Sequence, residues 1–168
     1  YGVAVVRDVM VSMRDGIKLA TDLYFPARDG QALPGPWPTV LERTPYGKPR
    51  FYANAPDGSE YARNGYVMVV QDVRGKYNSE GIFSNYPQEG PDGLDTFNWI
   101  TQQPWSNGQI IITGSSYFAS TAQAILVQNP PGLVAAAIRV GPGNYHEDGA
   151  WRGGARRVQM PCGEQARM

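Results

Sequence analysis

The chain has 168 residues, with 15 basic side chains balanced by 15 acidic ones, so no charge excess draws it to nucleic acid or an anionic membrane surface. With 42% hydrophobic residues it can fill a core, while 20 Gly and 14 Pro mark a loop-rich globular protein rather than a helical bundle or a disordered tail. A single cysteine, Cys162, excludes an internal disulfide, a single histidine, His146, excludes a Cys/His zinc cage, and no apolar run reaches the ~20 residues of a membrane span. No metal or cofactor is expected.

Val5, Arg7, Val9, Val11 and Met13 share one parity, Arg14-Asp15-Gly16 supplies turn chemistry, and Ile17, Leu19, Thr21, Leu23 and Phe25 resume the alternation. This predicts a β-hairpin. Residues 26–38 hold four prolines and two glycines and read as a loop. Thr39-Val40-Leu41 reads as a short strand that stops at Pro45, which cannot donate to a ladder. Asp57 and Glu60 have capping-box spacing and Asn64-Gly65 offers a left-handed stop, which predicts a helix over 58–64.

Tyr66-Val67-Met68-Val69-Val70 is apolar throughout, as in a parallel strand covered on both faces. Pro91 suits a first helical turn, Asp92 and Asp95 suit its positive end, and Leu94, Phe97 and Ile100 recur on one face, which predicts an amphipathic helix over 91–102. Ile110 to Thr113 reads as a buried strand, Ser116 to Gln128 as a helix of small residues, and Val134 to Val140 as another strand. Alternating strands and helices define a parallel α/β sheet spanning residues 1–142, with 143–168 as a distinct C-terminal stretch after Gly141-Pro142-Gly143.

Gly114-Ser115-Ser116-Tyr117-Phe118-Ala119 lies between the strand 110–113 and the following helix. A serine hydroxyl becomes a useful nucleophile when a sharp strand-to-helix turn exposes it at a helix N-terminus, with small residues on either side letting the turn close. Gly114 and Ala119 hold those flanking positions, alanine standing where the usual pattern has glycine. On motif and context alone, Ser116 fits a nucleophile and a helix cap equally. Asp72 and Arg74, at the end of a buried strand, read as an ion pair bracing a loop rather than as substrate contacts. Asp95 reads as helix-terminal electrostatics, and the tryptophans at 37, 99, 105 and 151 as core or loop anchors.

Beyond these local features, the chain from Val6 to Gly154 resembles the serine hydrolases of the cocaine esterase, α-amino-acid ester hydrolase and glutaryl acylase family, related to Xaa-Pro dipeptidyl-peptidases. The resemblance is carried by Arg14-Asp15-Gly16, Arg43-Thr44-Pro45-Tyr46-Gly47-Lys48, Gln71-Asp72-Val73-Arg74-Gly75, Ser79-Glu80-Gly81, Glu89-Gly90-Pro91-Asp92-Gly93-Leu94-Asp95, Trp99-Ile100 and Gln103-Pro104-Trp105, in that order. It implies an α/β-hydrolase fold with Ser116 as nucleophile. The oxyanion would be held by the backbone N–H of Tyr117 and the phenol of Tyr46. The substrate implied is a small ester or amide, cleaved through an acyl-serine intermediate.

In the resembled family the acid and the histidine follow the nucleophile at a distance, beyond a helical cap domain that begins near Asn144 to Gly154. The expectation is therefore a truncated α/β-hydrolase, lacking the cap domain and C-terminal strands, and weak or inactive alone. His146, two residues from Asp148, is the only imidazole the chain could offer as a base, and it reads first as a loop histidine. Strand 134–140 would then be an edge, expected to pair with a second copy, with a complementing chain, or with the tail after residue 145. The alternative function is a non-catalytic dimeric binding module derived from a hydrolase. Nucleic-acid binding is disfavoured despite the cluster Arg152, Arg156 and Arg157, and no membrane partner is expected.

Overall fold

The computed structural model describes residues 1–48, 58–84, 86–141, 151–152 and 155–156. The predicted hairpin is present as β1 (Gly2–Ser12) and β2 (Lys18–Arg28), antiparallel from Gly2 opposite Ala27 to Ser12 opposite Lys18. Its turn closes where the Met13 N–H donates to the Ile17 carbonyl at 2.8 Å. The single parity expected along β1 does not hold. Val6 faces Leu23 and Val9 faces Thr21, so Arg7 and Asp8 together oppose Asp22 in a β-bulge, with Asp8 at φ 53°. The extra residue flips every later side chain to the other face. Val11 and Met13 are therefore buried while Val5 stays exposed.

The predicted loop over 26–38 contains more order than expected. β2 runs through Pro26 to Arg28, Asp29 and Gly30 both take positive φ, and β3 (Gln31–Ala32) pairs back on Ala27 and Arg28. An Asp-Gly pair suits a tight two-residue hairpin because both central positions of that turn need positive φ. Pro26 is tolerated because the ladder from β2 to its other neighbour, β5 (Val67–Asp72), covers only Thr21 to Tyr24.

β4 (Trp37–Thr44) is longer than expected and ends just before Pro45. α1 (Gly58–Arg63) and α2 (Glu89–Thr101) lie within a residue or two of the expected helices, although Asp57 of the capping box lies outside the described residues. β6 (Ser106–Ser115), α3 (Tyr117–Leu126) and β7 (Leu133–Arg139) complete the sheet, and β8 (Trp151–Arg152) with β9 (Ala155–Arg156) form a separate two-stranded pair.

The main sheet has the order β1-β2-β5-β4-β6-β7, with β3 on β2. β5, β4, β6 and β7 run parallel, and β5 is antiparallel to β2. Alternation within the strands divides the core. Leu41, Val67, Val69, Ile110 and Ile112 pack with Phe97 and Ile100 of α2 and Ala122 and Ile125 of α3, whereas Val40, Met68 and Val70 pack with Ala62 of α1. Both faces of β5 are covered, as its unbroken apolar run requires. Trp37, Trp99 and Trp105 pack against the larger core.

Parallel strands bring their carboxyl ends to one edge of a sheet, where open α/β folds build their sites. β4 and β6 are neighbours, so the turns that follow them, carrying Tyr46 and Ser116, emerge side by side.

Candidate active site

β6 leads directly into α3 with one residue between them, Ser116, at φ 60° and ψ −124°. A non-glycine residue in that region stores roughly 1–3 kcal/mol of strain, which the surrounding packing must hold. The Ser116 N–H donates to the Arg139 carbonyl of β7 at 3.2 Å, and its own carbonyl accepts from the Ala119 N–H at 3.0 Å. Its side chain makes no capping hydrogen bond and is exposed. The hydroxyl is thus not used as a helix cap, the reading that competed with a nucleophile.

Two small residues let the turn close. A Cβ on Gly114 would stand 2.2 Å from the Phe118 carbonyl oxygen, well inside contact distance. Ala119 is fully buried, and a Cβ on Gly141 would meet its methyl at 2.7 Å. The methyl that departs from the usual glycine is therefore accommodated by a glycine on the facing chain.

Tyr117 opens α3, where backbone N–H groups have no intrahelical carbonyl to bond. Its side chain turns into the protein. The phenol donates to Glu89 Oε1 at 3.1 Å and accepts from the Tyr86 N–H at 3.4 Å, and the Tyr86 ring stacks on it at 5.0 Å. Burial and the neighbouring Glu89 carboxylate push the phenol's pKa up.

Tyr46 follows β4 in a turn whose N–H donates to Thr44 Oγ1 at 3.0 Å. Its half-buried ring lies against the start of α3, with centroids 5.6 Å from Phe118 and 6.4 Å from Tyr117. Thr121 of α3 donates to the Arg43 carbonyl at 3.1 Å and ties the helix to the strand carrying Tyr46. The structure thus brings Tyr46, Ser116 and Tyr117 to one place. His146 and Asp148 lie outside the described residues.

Two buried ionic clusters lie beneath these turns. In the first, Arg43, 1% exposed, pairs with Glu89 Oε2 at 2.8 Å and donates to the Glu89 carbonyl and to Gln71 Oε1. Burial raises the Glu89 pKa despite the opposing Arg43 charge. In the second, the Lys48 ammonium meets Asp8 at 2.7 Å, Asp72 at 3.0 Å and Asp22 at 3.7 Å. Burial alone would lower the Lys48 pKa, but the carboxylates around it outweigh that and raise it. The β1 bulge is what delivers Asp8 to this cluster.

Asp72 and Arg74 are ionic braces, but not of one another. Asp72 binds Lys48, while Arg74 binds Asp92 and Asp15, each at 2.6 Å. Asp95 is likewise not at the helix terminus, because α2 begins at Glu89 and places it beyond the first turn. It receives the Arg14 guanidinium at 2.8 Å and the Arg14 backbone N–H at 2.8 Å. Sequence reasoning assigned no role to Arg43, Lys48 or Glu89. Their signal was the presence of charge inside or beside otherwise apolar elements.

A mixed, mostly parallel sheet with a strained serine turn between β6 and α3 defines an α/β hydrolase. Residues 15–167 match the profile of the X-Pro dipeptidyl-peptidase (S15) family, and the chain belongs to that family. It is 36% identical over 167 residues to cocaine esterase from Rhodococcus sp. (strain MB1 Bresler), which covers 97% of this chain and 28% of the esterase. Among solved structures, an α-amino acid ester hydrolase superposes with a TM-score of 0.73 at 29% identity, over 94% of this chain and 28% of its own. A CocE/NonD family hydrolase from Staphylococcus aureus superposes with a TM-score of 0.68 at 30% identity, over 79% of this chain and 26% of its own. The chain thus spans little more than a quarter of these relatives.

Proposed function

We propose that this chain carries the nucleophile and oxyanion-binding part of a serine hydrolase acting on small esters or amides through an acyl-serine intermediate. The observation that carries this reading is the exposed Ser116 hydroxyl on a positive-φ turn, uncommitted to capping the helix that follows it. The names of the relatives support the same class of chemistry, since two of them are ester-cleaving enzymes.

In the reaction, Ser116 Oγ attacks the substrate carbonyl carbon and its proton passes to a base. The carbonyl oxygen becomes an oxyanion that accepts hydrogen bonds from the Tyr117 backbone N–H and the Tyr46 phenol. The C–O or C–N bond then breaks, the leaving group departs with a proton, and water releases the acid from the serine. Each oxyanion donor contributes about 3–4 kcal/mol to transition-state stabilisation in sites of this kind. The sequence contains a single histidine, and His146 reads as a loop residue, so the chain alone turns over weakly or not at all. Hydrolysis of a small activated ester tests this. Turnover at rates ordinary for enzymes, around 10 per second, and lost in Ser116→Ala, would contradict the weak-alone reading while upholding the nucleophile.

A second reading, a dimeric binding module, is favoured by β7. Among the described residues it is the last strand in the sheet order, and Val134 to Ala137 are exposed on both of its faces. Unpaired edges invite strand addition, and antiparallel pairing of two β7 strands across a two-fold axis would meet that need. Sedimentation of a compact monomer at micromolar concentration would count against it.

A further inference from the structure

We propose that Glu89, acting through the Tyr117 hydroxyl, is a positioning residue that sets the direction of the Tyr117 backbone N–H toward the oxyanion. The proposal rests on Ser116 being the nucleophile. Glu89 is the first residue of α2 and Tyr117 the first residue of α3, so the bond between them ties the two helix starts together beneath the serine turn.

Three features support a positioning role over simple packing. First, the carboxylate is 4% exposed and costly to keep there, as its raised pKa reflects. A phenylalanine at 117 packed on an apolar residue at 89 would fill the same space without that cost. Second, Glu89 is itself held on two sides, because Arg43 donates to both its carboxylate and its backbone carbonyl. Arg43 is fixed in turn by Gln71 of β5, whose Oε1 also accepts from Thr96 of α2. The carboxylate is therefore a rigid acceptor anchored in the sheet. Third, the Tyr117 ring is clamped along its length by Tyr86, Phe83 and Tyr46. With the ring held and its far end pinned, the Cα that carries the N–H has little freedom to tilt. An oxyanion donor loses effect quickly when misaimed, since its contribution depends on being organised before charge develops.

The test uses the full chain with a fluorophosphonate probe, imidazole supplied as an external base, and adduct formation at Ser116 followed by mass. Tyr117→Phe keeps the ring and the Arg43–Glu89 pair and is expected to lower the maximal phosphonylation rate about tenfold while leaving half-saturation by the probe unchanged. Glu89→Leu should lower it similarly, and the double variant no further than the single ones, because all three remove the donor or the acceptor of the same hydrogen bond. Since Glu89→Leu leaves the buried Arg43 only Asp92, 4.0 Å away, as a charged partner and could fail to fold, Tyr117→Phe decides. In parallel, the backbone order parameter of residue 117 is measured by ¹⁵N relaxation. It is expected to fall from about 0.85 towards the flexible range below about 0.6 in Tyr117→Phe, with the Ile112 amide in β6 unchanged. An unchanged order parameter at 117, or an equal fall at Ile112, would overturn the proposal. If the wild-type chain forms no adduct, the nucleophile reading fails by itself, and the order parameters still decide whether Glu89 fixes the Tyr117 N–H.

Discussion

Lys48 holds Asp72 twice, its backbone N–H donating to Oδ1 and its ammonium to Oδ2, both at 3.0 Å. The pair joins the end of the Tyr46 turn to the end of β5, and the same ammonium reaches Asp8 on the bulge of β1. Tyr46 thus projects from a turn stapled two residues later to two other strands. Lys48→Met should cost about 3–5 kcal/mol in urea unfolding, because it leaves the buried Asp72 carboxylate with no cation, while Asp22 keeps Arg7 and Asp8 is half exposed. Ser116 labelling should slow in the fraction that remains folded.

Gly114 has no room for a side chain, since the nearest atom to an added Cβ is a backbone oxygen that cannot rotate away. Gly114→Ala should therefore destabilise by at least about 3 kcal/mol and abolish probe labelling. Thermal unfolding and labelling of the same preparation check both effects.

Replacing the strained residue itself should have the opposite effect on stability. Glycine accepts the backbone angles of Ser116 without steric cost, and the relief exceeds the entropy that glycine loses on folding. Ser116→Gly is expected to gain about 1 kcal/mol while losing all labelling at that position. A loss of stability would show that the serine turn is not under strain.

If the Tyr46 phenol is the second oxyanion donor, Tyr46→Phe should lower the Ser116 acylation rate about 10²–10³-fold with little change in probe affinity. A change confined to affinity would place Tyr46 in the binding wall instead.

Acid sensitivity should trace in part to Asp95. Burial alone would raise its pKa, but hydrogen bonds from the Arg14 guanidinium and backbone N–H outweigh that and hold it below its ordinary 3.8. The unfolded chain therefore takes up this proton first as pH falls. The stabilisation is present above 3.8 and lost as pH drops through the folded value, so Asp95→Asn should flatten the fall in urea midpoint between about pH 5 and pH 2. Glu89 has the opposite sign. Its folded pKa is raised above 4.5, so its stabilisation is present below that value and lost as pH rises through the folded one.

What the sequence disclosed follows the range of each interaction. The serine turn was legible because strand, small flanking residues and helix are contiguous, and local geometry alone decides the outcome. Only the absence of a capping bond, a three-dimensional fact, set aside the reading of Ser116 as a cap. The Asp29-Gly30 hairpin carried a readable signal that the surrounding prolines masked. The bulge at Arg7 and Asp8 could not be read, because alternation continued through it on paper and only the partner strand reveals the extra residue. Arg43, Lys48 and Glu89 were opaque for a related reason. A buried charge is tolerable only with its partner, and their charged partners lie 24 to 49 positions away in sequence along other elements. Tyr46 gained a role from family resemblance alone, and its contact with Phe118 and Tyr117 arises because β4 and β6 are neighbours in space.

The most direct measurement of the central claim is the mass of the full chain after fluorophosphonate treatment across a series of imidazole concentrations. One adduct on Ser116, forming slowly in plain buffer, faster with added imidazole and never in Ser116→Ala, is the expected result. An adduct that persists in Ser116→Ala, or none at any imidazole concentration, would contradict a reactive serine at this turn.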